Sequence, residues 1–379
     1  MNVVHFISSI GSNGVSSVVL RLSSEMAKQG HTVTIVTSTS ISNTNIRIPD
    51  NVRIVNMNSS SNLNSNSVGI SLVRKIGKFF SGRLLYLFKI RDGFSAKFVQ
   101  TTKSLGSIDK VYVHCLPGKI LLSSLEGVSV SYVIHNSKSK HLNGKFFWQS
   151  YLDKYIFKTS LSDKELIAVS ESVKNDLISR FDIPQDNIKV ILNPFDFNNI
   201  SELSRRFIPK IDDYYLLVGR LSPQKRFDKA IVLLSQLLKK GYDLKFIVIG
   251  EGKEENKLKA LASNLGIEDK IIFLGHQSNP YPYFLRANGF LLTSDFEGLP
   301  TVIIESLILN CKVMTTPVEG CNEILGESYP YISGSFEQKE LLSCAERFLN
   351  KGEVLDLDLD LTKFRSDVVV KQYLSLVSK

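Results

Sequence analysis

Cysteine is scarce: Cys115, Cys311, Cys321 and Cys344 are the four in 379 residues, they lie far apart, and none belongs to a CxxC pair. Neither a disulfide framework nor a thiolate zinc site is therefore expected, and a reducing compartment is the simpler setting. Long apolar runs are missing too. No stretch holds eighteen consecutive apolar residues, and the opening Met1-Asn2-Val3-Val4-His5-Phe6-Ile7 has no cationic region ahead of an apolar one, which argues against a membrane span and against secretion. Glycine (23) and proline (11) are too few for a collagenous or low-complexity chain, and 43% hydrophobic against 22% charged residues is the balance of a folded protein. At roughly 150 residues per domain, the length suits two substantial cores.

Acidic residues are in deficit in one half alone. Residues 1–200 carry 23 Lys and Arg against 13 Asp and Glu, whereas residues 201–379 carry 23 against 24, so the formal charge of +9 belongs to the first half. Within it, residues 72–103 are the most basic stretch: Arg74, Lys75, Lys78, Arg83, Lys89, Arg91, Lys97 and Lys103 alternate with aromatics that include Phe79, Phe80, Phe94 and Phe98, and Asp92 alone opposes them. Such a segment can rest on an anionic lipid surface, or it can be an ordinary helix pair with a core face and a solvated basic face. Charge by itself also permits nucleic-acid binding, but no zinc finger or RNP pattern supports it.

The chain opens with a strand (residues 3–7), a Ser/Gly/Asn loop, a helix stopped at Gly30, and a second strand (32–36). The 24 residues between the strands are enough for a helical crossover and hence for parallel pairing. Residues 38–70 read as surface loop, with Val52, Ile54 and Val55 able to supply a short strand. Strands at 110–114, 128–134, 165–169 and 187–192 alternate with helical stretches. Polar residues from Asp196 to Asp213 then mark a linker. After it strands are expected at 214–218, 244–249, 270–274, 289–293 and 312–316, and helices at 227–240, 254–265 and 301–310. Repeated βαβ units of this kind form open α/β sheets whose ligands bind beyond the carboxyl ends of the strands.

Several strand-end segments carry chemistry. Gly11-Ser12-Asn13-Gly14 stands between a strand and a helix, where it is either a tight turn or a contact for a phosphate or sugar. It is not GxGxxG, and no acidic residue follows about twenty positions on, which weakens a nicotinamide reading. Arg220 and Lys225, in Gly219-Arg220-Leu221-Ser222-Pro223-Gln224-Lys225, are either a solvated pair or two cations for a diphosphate. In Asp295-Phe296-Glu297-Gly298-Leu299-Pro300-Thr301, the chain enters an apolar helix that holds Glu305; an unpaired carboxylate there is costly, so it pairs internally or meets ligand hydroxyls. Gly320 precedes a short helix at another strand end, suited to a phosphate contact. His135, at the end of a strand, is a satisfied loop residue or a sugar contact, with no clustered metal ligands around it.

Taken in order, Gly219-Arg220 with Lys225, Gly250-Glu251-Gly252, Phe273-Leu274-Gly275, Ser294 to Pro300, and Glu305 eight positions after Glu297 resemble the nucleotide-sugar-binding half of the large retaining glycosyltransferase family 4, which includes many bacterial lipopolysaccharide, capsule and O-antigen enzymes. The resemblance continues less sharply through the first half, at the glycine loop, His135, Ala168-Val169-Ser170 and Ile191-Leu192-Asn193-Pro194; where the family commonly has Asn-Gly, this chain has Asn193-Pro194.

The resemblance implies a GT-B fold, two Rossmann-like domains facing each other across a deep cleft. Residues 1–200 would be the acceptor-binding domain, 201–362 the nucleotide-sugar domain, and 363–379 a helix packing back on the first. It implies transfer of a hexose or N-acetylhexosamine from a nucleotide-diphosphate sugar, a UDP-sugar first, to a lipid-linked glycan or lipopolysaccharide, with retention at the anomeric carbon. No cofactor and no essential metal is implied, and the Asp-x-Asp pattern of the other main transferase fold is absent.

By the same resemblance His135, Arg220, Lys225 and Glu297 serve catalysis. Gly14, Gly298, Leu299, Thr301, Glu305 and Gly320 join the donor site and Gly11, Ser12 and Asn13 face the acceptor, while the basic, aromatic character of residues 72–103 puts Lys75, Lys78 and Arg83 on the acceptor or membrane side. The setting is the cytoplasmic face of the bacterial inner membrane, with peripheral contact to its anionic lipid and no nucleic acid. A nucleotide-sugar epimerase or phosphorylase, or a sensor without turnover, would share the diphosphate grip.

Overall fold

The computed structural model describes residues 1–11, 14–39, 48–57, 82–136, 147–349 and 359–377. Ser12, Asn13, Lys75 and Lys78 lie outside the described residues. Two compact units divide the chain: Met1–Phe195 with Lys363–Lys379, and Asp196–Thr362. The break thus falls five residues before the boundary expected at 200, and the last segment belongs to the first unit.

In the first unit β1 (Asn2–Ile7), α1 (Gly14–Lys28) and β2 (Thr32–Thr37) are followed by β3 (Arg53–Asn56), the short strand expected around Ile54. Next come α2 (Gly82–Thr102), β4 (Lys110–Val113), α3 (Leu116–Leu121), β5 (Val130–Ile134), α4 (Phe147–Leu161), β6 (Glu165–Ala168), α5 (Glu171–Phe181) and β7 (Ile188–Val190). The strands form one parallel sheet in the order β3-β2-β1-β4-β5-β6-β7. Covered on both faces, they read as continuous apolar runs rather than alternating ones. Helix α1 buries Val18, Val19, Leu22 and Met26, the stripe that a period of 3.6 places on one side. Helix α5 starts where the Ser170 hydroxyl accepts the Val173 amide at 3.1 Å and stops at Asp182, whose φ of 51° is left-handed.

The second unit opens with α6 (Phe197–Ser204), inside the segment expected to be linker. Its polar surface hid it: Ile200 and Ser204 are its buried residues, and the Asp196 carboxylate, read as loop, accepts the Asn199 amide at 3.0 Å and caps the helix. Then follow β8 (Tyr215–Val218), α7 (Phe227–Lys239), β9 (Phe246–Ile249), α8 (Glu255–Asn264), β10 (Ile271–Phe273), α9 (Tyr281–Arg286), β11 (Gly289–Leu292), α10 (Thr301–Ile308), β12 (Val313–Thr315), α11 (Cys321–Leu325) and α12 (Gln338–Leu349). The sheet is parallel, in the order β10-β9-β8-β11-β12. Each unit therefore has the strand order of a Rossmann-type domain, reversing direction between β1 and β4 in one and between β8 and β11 in the other.

Helix α13 (Ser366–Leu374) returns to the first unit. The amide of Phe195 donates to the Phe364 carbonyl at 2.8 Å, that of Ser366 donates to the Phe195 carbonyl at 2.9 Å, and the Tyr112 hydroxyl donates to the Tyr373 carbonyl at 2.6 Å. The rings of Tyr112 and Tyr373 meet edge to face at 5.1 Å. The hydroxyl of Tyr373 itself is buried without a hydrogen-bond partner. Two substitutions there should act in opposite directions. Tyr373→Ala empties a fully buried aromatic site and should cost about 3 to 5 kcal/mol. Tyr373→Phe removes only the unsatisfied group and should be neutral or stabilising by up to about 1 kcal/mol. Urea denaturation of the two variants measures both.

Candidate functional site

Ligands of open parallel sheets sit beyond the carboxyl ends of the strands where the strand order reverses. In the second unit the loops at that place follow β8 and β11, and they carry Arg220 and Lys225 on one side and Asp295 and Glu297 on the other. The two loops are joined along their length. The Asp295 amide donates to the Gln224 carbonyl at 2.9 Å, and the Gln224 side-chain amide donates to the Phe296 carbonyl at 2.7 Å. The Thr293 hydroxyl lies 3.1 and 3.0 Å from the carbonyls of Lys225 and Arg226.

Arg226 is the residue that sequence reasoning missed. It enters α7 in the left-handed region with φ of 49°, where an L residue is strained. Its guanidinium is forked between Asp228, at 2.8 to 3.2 Å, and both oxygens of Asp295, at 3.2 Å. Lys229 joins the same carboxylate at 3.3 Å and reaches the Phe336 carbonyl at 2.9 Å. Hydrogen bonds to Asp228, opposed by partial burial and aided by Asp295, raise the guanidinium pKa. Burial would raise the Asp228 pKa, yet the bond from Arg226 holds it below the usual carboxylate range. The signal in the sequence was an Asp two residues after an Arg, too common to single out.

This frame sets the candidate residues in place. Lys225 Nζ lies 2.7 Å from Glu297 Oε1, which also accepts the Ser294 hydroxyl at 2.7 Å; the Lys225 and Glu297 side chains are only 17% and 10% exposed. Arg220 differs. It is exposed, and its side chain makes no hydrogen bond or ion pair with a described residue. Gly298 and Leu299 are buried in the same loop, and Thr301 opens α10, one turn before Glu305, which accepts the Tyr281 hydroxyl at 3.3 Å. Tyr281, on α9, was not anticipated as a neighbour of Glu305.

Two glycines hold the backbone close. At Gly250 φ is 139°, and a Cβ there would overlap the Gly219 carbonyl oxygen, so the loop after β9 backs directly onto the Arg220 loop. At Gly320, with φ of 79°, a Cβ would lie 2.9 Å from the Gly298 carbonyl oxygen, which ties the loop after β12 to the Glu297 loop. The helix that follows Gly320 is a single short turn, residues Cys321–Leu325.

The first unit carries the remaining candidates. Gly11 donates its amide to the Ser16 hydroxyl at 3.1 Å, and Gly14 begins α1, so the glycine loop sits at the β1 end of that unit's reversal point. Arg83 falls within α2. Of the aromatics in the basic stretch, Phe94 and Phe98 meet Phe6 edge to face at 5.9 Å each, and Phe98 is 1% exposed. Those two rings pack against the first sheet, the core face that the helix-pair alternative for this stretch allowed. The phenylalanines recur four apart, the spacing that turns both to one side of a helix.

His135 stands just past β5 and is one of three buried histidines in a row. Its Nε2 lies 3.1 Å from His114 Nδ1, and His114 Nε2 lies 2.9 Å from His5 Nδ1. Burial lowers the His5 pKa to about 3, and burial with the neighbouring His5, His135 and Lys119 pushes His114 well below the usual value. Both rings are neutral. Neither His5 nor His114 was singled out from the sequence, because they become neighbours only through the strand order β1-β4-β5. Among the described residues no group of three or more His, Cys, Asp or Glu side chains is placed to hold a metal ion.

Two family models cover the chain in succession: Glycosyltransferase Family 4 matches residues 12–199, and Glycosyl transferases group 1 matches residues 201–354. The chain belongs to this glycosyltransferase family. It is 31% identical over 182 residues to the N-acetylgalactosamine-N,N'-diacetylbacillosaminyl-diphospho-undecaprenol 4-alpha-N-acetylgalactosaminyltransferase of Campylobacter jejuni, a match covering 48% of this chain and 49% of that protein. It is 26% identical over 316 residues to an uncharacterized glycosyltransferase of Haemophilus influenzae, covering 82% and 78%. The chain spans about half the length of several curated relatives it matches, the Campylobacter protein among them.

Solved structures share the fold. WaaG, a glycosyltransferase involved in lipopolysaccharide biosynthesis, superposes with a TM-score of 0.65 at 15% identity over 98% of this chain and 95% of that one. Anabaena Alr3699/HepE in complex with UDP and glucose gives 0.68 at 16% identity over 100% and 97%. The family member thus has the GT-B fold, with two parallel-sheet α/β domains.

Two outcomes follow from this geometry. Gly250→Ala should displace the Arg220 loop and cost about 1 to 3 kcal/mol of stability, measured by denaturation. The buried histidines set a pH dependence: the unfolded chain takes up protons near pH 6.5 that folded His5 and His114 refuse, so stability is full above that pH and declines as pH falls, toward about 3 for His5. The urea midpoint should therefore drop between pH 7.5 and 5.0, and the drop should shrink in His5→Phe.

Proposed function

We propose that this protein is a retaining glycosyltransferase that moves a hexose or N-acetylhexosamine from a nucleotide-diphosphate sugar, a UDP-sugar first, to a lipid-linked glycan or lipopolysaccharide acceptor of a bacterial surface polysaccharide. One observation carries the reading: at the reversal point of the second sheet an exposed Arg220 with no partner among the described residues and the Lys225–Glu297 pair share one loop frame. Breaking the C1–O bond to the diphosphate leaves growing negative charge on the phosphate oxygens as positive charge develops at C1. Arg220, with two parallel N–H donors, and Lys225, a compact cation, strengthen their hold as that charge grows, so they favour the transition state over the bound donor. The acceptor oxygen forms the new bond to C1 on the face the diphosphate leaves, and its proton passes to a departing phosphate oxygen.

Glu305 is assigned to the ribose hydroxyls, Glu297 to the donor sugar, and Gly298, Leu299, Thr301 and Gly320 to the backbone around them. His135, Gly14 and the Gly11-Ser12-Asn13 segment are assigned to sugar and acceptor. HepE with bound UDP and glucose, and the diphospho-undecaprenol in the Campylobacter relative's name, support this substrate class. Among the described residues no helix is long and apolar enough to cross a membrane. Peripheral contact with the anionic cytoplasmic face of the inner membrane is assigned to Arg83 with Lys75 and Lys78, and exposed Tyr151 and Tyr155, four apart on α4, support it.

Calorimetric titration with UDP- and GDP-sugars, followed by product analysis with lipid-linked acceptors, tests the reading. Arg220→Ala should weaken donor binding about 10- to 100-fold without lowering stability, because the side chain has no partner among the described residues to lose. Binding of no donor, or an Arg220→Ala variant that binds as the parent does, overturns it; the anomeric configuration of the product decides retention.

A further inference from the structure

The row His5, His114, His135 crosses three adjacent strands of the first sheet, from inside β1 to the ligand edge beyond β5. All three rings are buried, with 0%, 2% and 9% exposure. Each link joins the Nδ1 of one ring to the Nε2 of the next, so the nitrogens serve one another in line and do not converge on a common point. Neutral imidazole has one N–H and one bare nitrogen. With His5 and His114 neutral, the two links therefore have only two consistent proton orders.

In one order His135 donates inward to His114 and His114 to His5, which leaves a hydrogen on His5 Nε2. That atom is buried and has no hydrogen-bond partner. The neighbouring Tyr112 ring lies stacked at 5.3 Å and spends its hydroxyl on the Tyr373 carbonyl, so it offers no acceptor. An orphaned N–H is the rarer defect in folded proteins, and the opposite order avoids it by leaving a bare nitrogen at that position.

We propose that the three imidazoles form a proton-ordered relay in which each Nδ1–H donates to the next Nε2, so that His5 and His114 are positioning residues holding His135 as an Nδ1–H hydrogen-bond donor toward a sugar hydroxyl. The existence of the relay rests on the geometry alone; its sugar partner rests on the function proposed above. Buried Lys119 donates to the His114 carbonyl at 3.3 Å, and its charge adds to burial in keeping His114 from accepting an extra proton. His135 Nε2 is occupied by the bond from His114, so the ring orients a hydroxyl through its oxygen and does not take the hydroxyl's proton.

The test is a long-range proton–nitrogen spectrum of the whole protein with 15N in its imidazole rings, the His135 signals being assigned by their loss in His135→Gln. The relay requires a protonated Nδ1 and a bare Nε2 at pH 7.5; a proton on Nε2 overturns it, and this reading needs no core variant to fold. In His114→Phe the His135 ring should lose that preference and turnover should fall about five- to ten-fold while UDP affinity stays within about two-fold. His114→Asn, whose amide N–H stands near the lost Nδ1–H, should restore the His135 tautomer and most of the turnover. An unchanged His135 signal in His114→Phe overturns the proposal. If the parent protein transfers no sugar from any donor while its tautomers behave as described, the transferase reading fails and the relay stands.

Discussion

Arg226 governs the second unit's ligand edge. A residue with φ of 49° leaves the left-handed region unless its surroundings hold it there, and the bonds to Asp228 and Asp295 are what hold it. Because Asp295 belongs to the loop after β11, the same bonds fasten the loop that carries Arg220 and Lys225 to the loop that carries Glu297. The charges involved are partly exposed, so each ion pair alone adds little stability. Their effect is geometric: several modest bonds share one strained residue, and the loops keep one arrangement.

Within that arrangement the two cations are in different states. Lys225 is already neutralised by Glu297 in a nearly dry position, whereas Arg220 is solvated. A diphosphate arriving at this edge would meet Arg220 without displacing a partner among the described residues. To engage Lys225 it must share the ammonium with a carboxylate that is itself anchored by Ser294. The pair thus keeps a buried lysine from standing unpaired and leaves it with hydrogen-bonding capacity for a second anion.

Much of this was legible in the sequence. The βαβ alternation, the strands near Ile7, Val36, Val113 and Ile249, and the Gly219 to Lys225 and Asp295 to Glu305 segments stand where periodicity and strand-end loops put them. What escaped has physical reasons. Helix α6 buries two residues of eight, too few to show a period, and its cap looks like any loop aspartate. The bond between Arg226 and Asp295 spans 69 positions, and the link from His5 to His114 spans 109; both are made by strand order, which no local pattern encodes. Phe94 and Phe98 stand in a stretch with two readings, and their spacing of four favours the one with a core face.

The first unit is built from two segments, residues 1–195 and 363–379, with the second unit inserted between Phe195 and Lys363. During synthesis its sheet, whose seven strands are all made by Val190, goes without the segment from Lys363 while residues 196–362 are produced, since Phe364, Tyr373 and Leu376 follow them and accept hydrogen bonds from Phe195, Tyr112 and Lys110. The inserted unit has every strand of its own sheet in hand by Thr315 and can close first. The first unit is therefore completed only after the second has been made, and until then the face of its sheet that takes α13 is a surface for chaperones to shield.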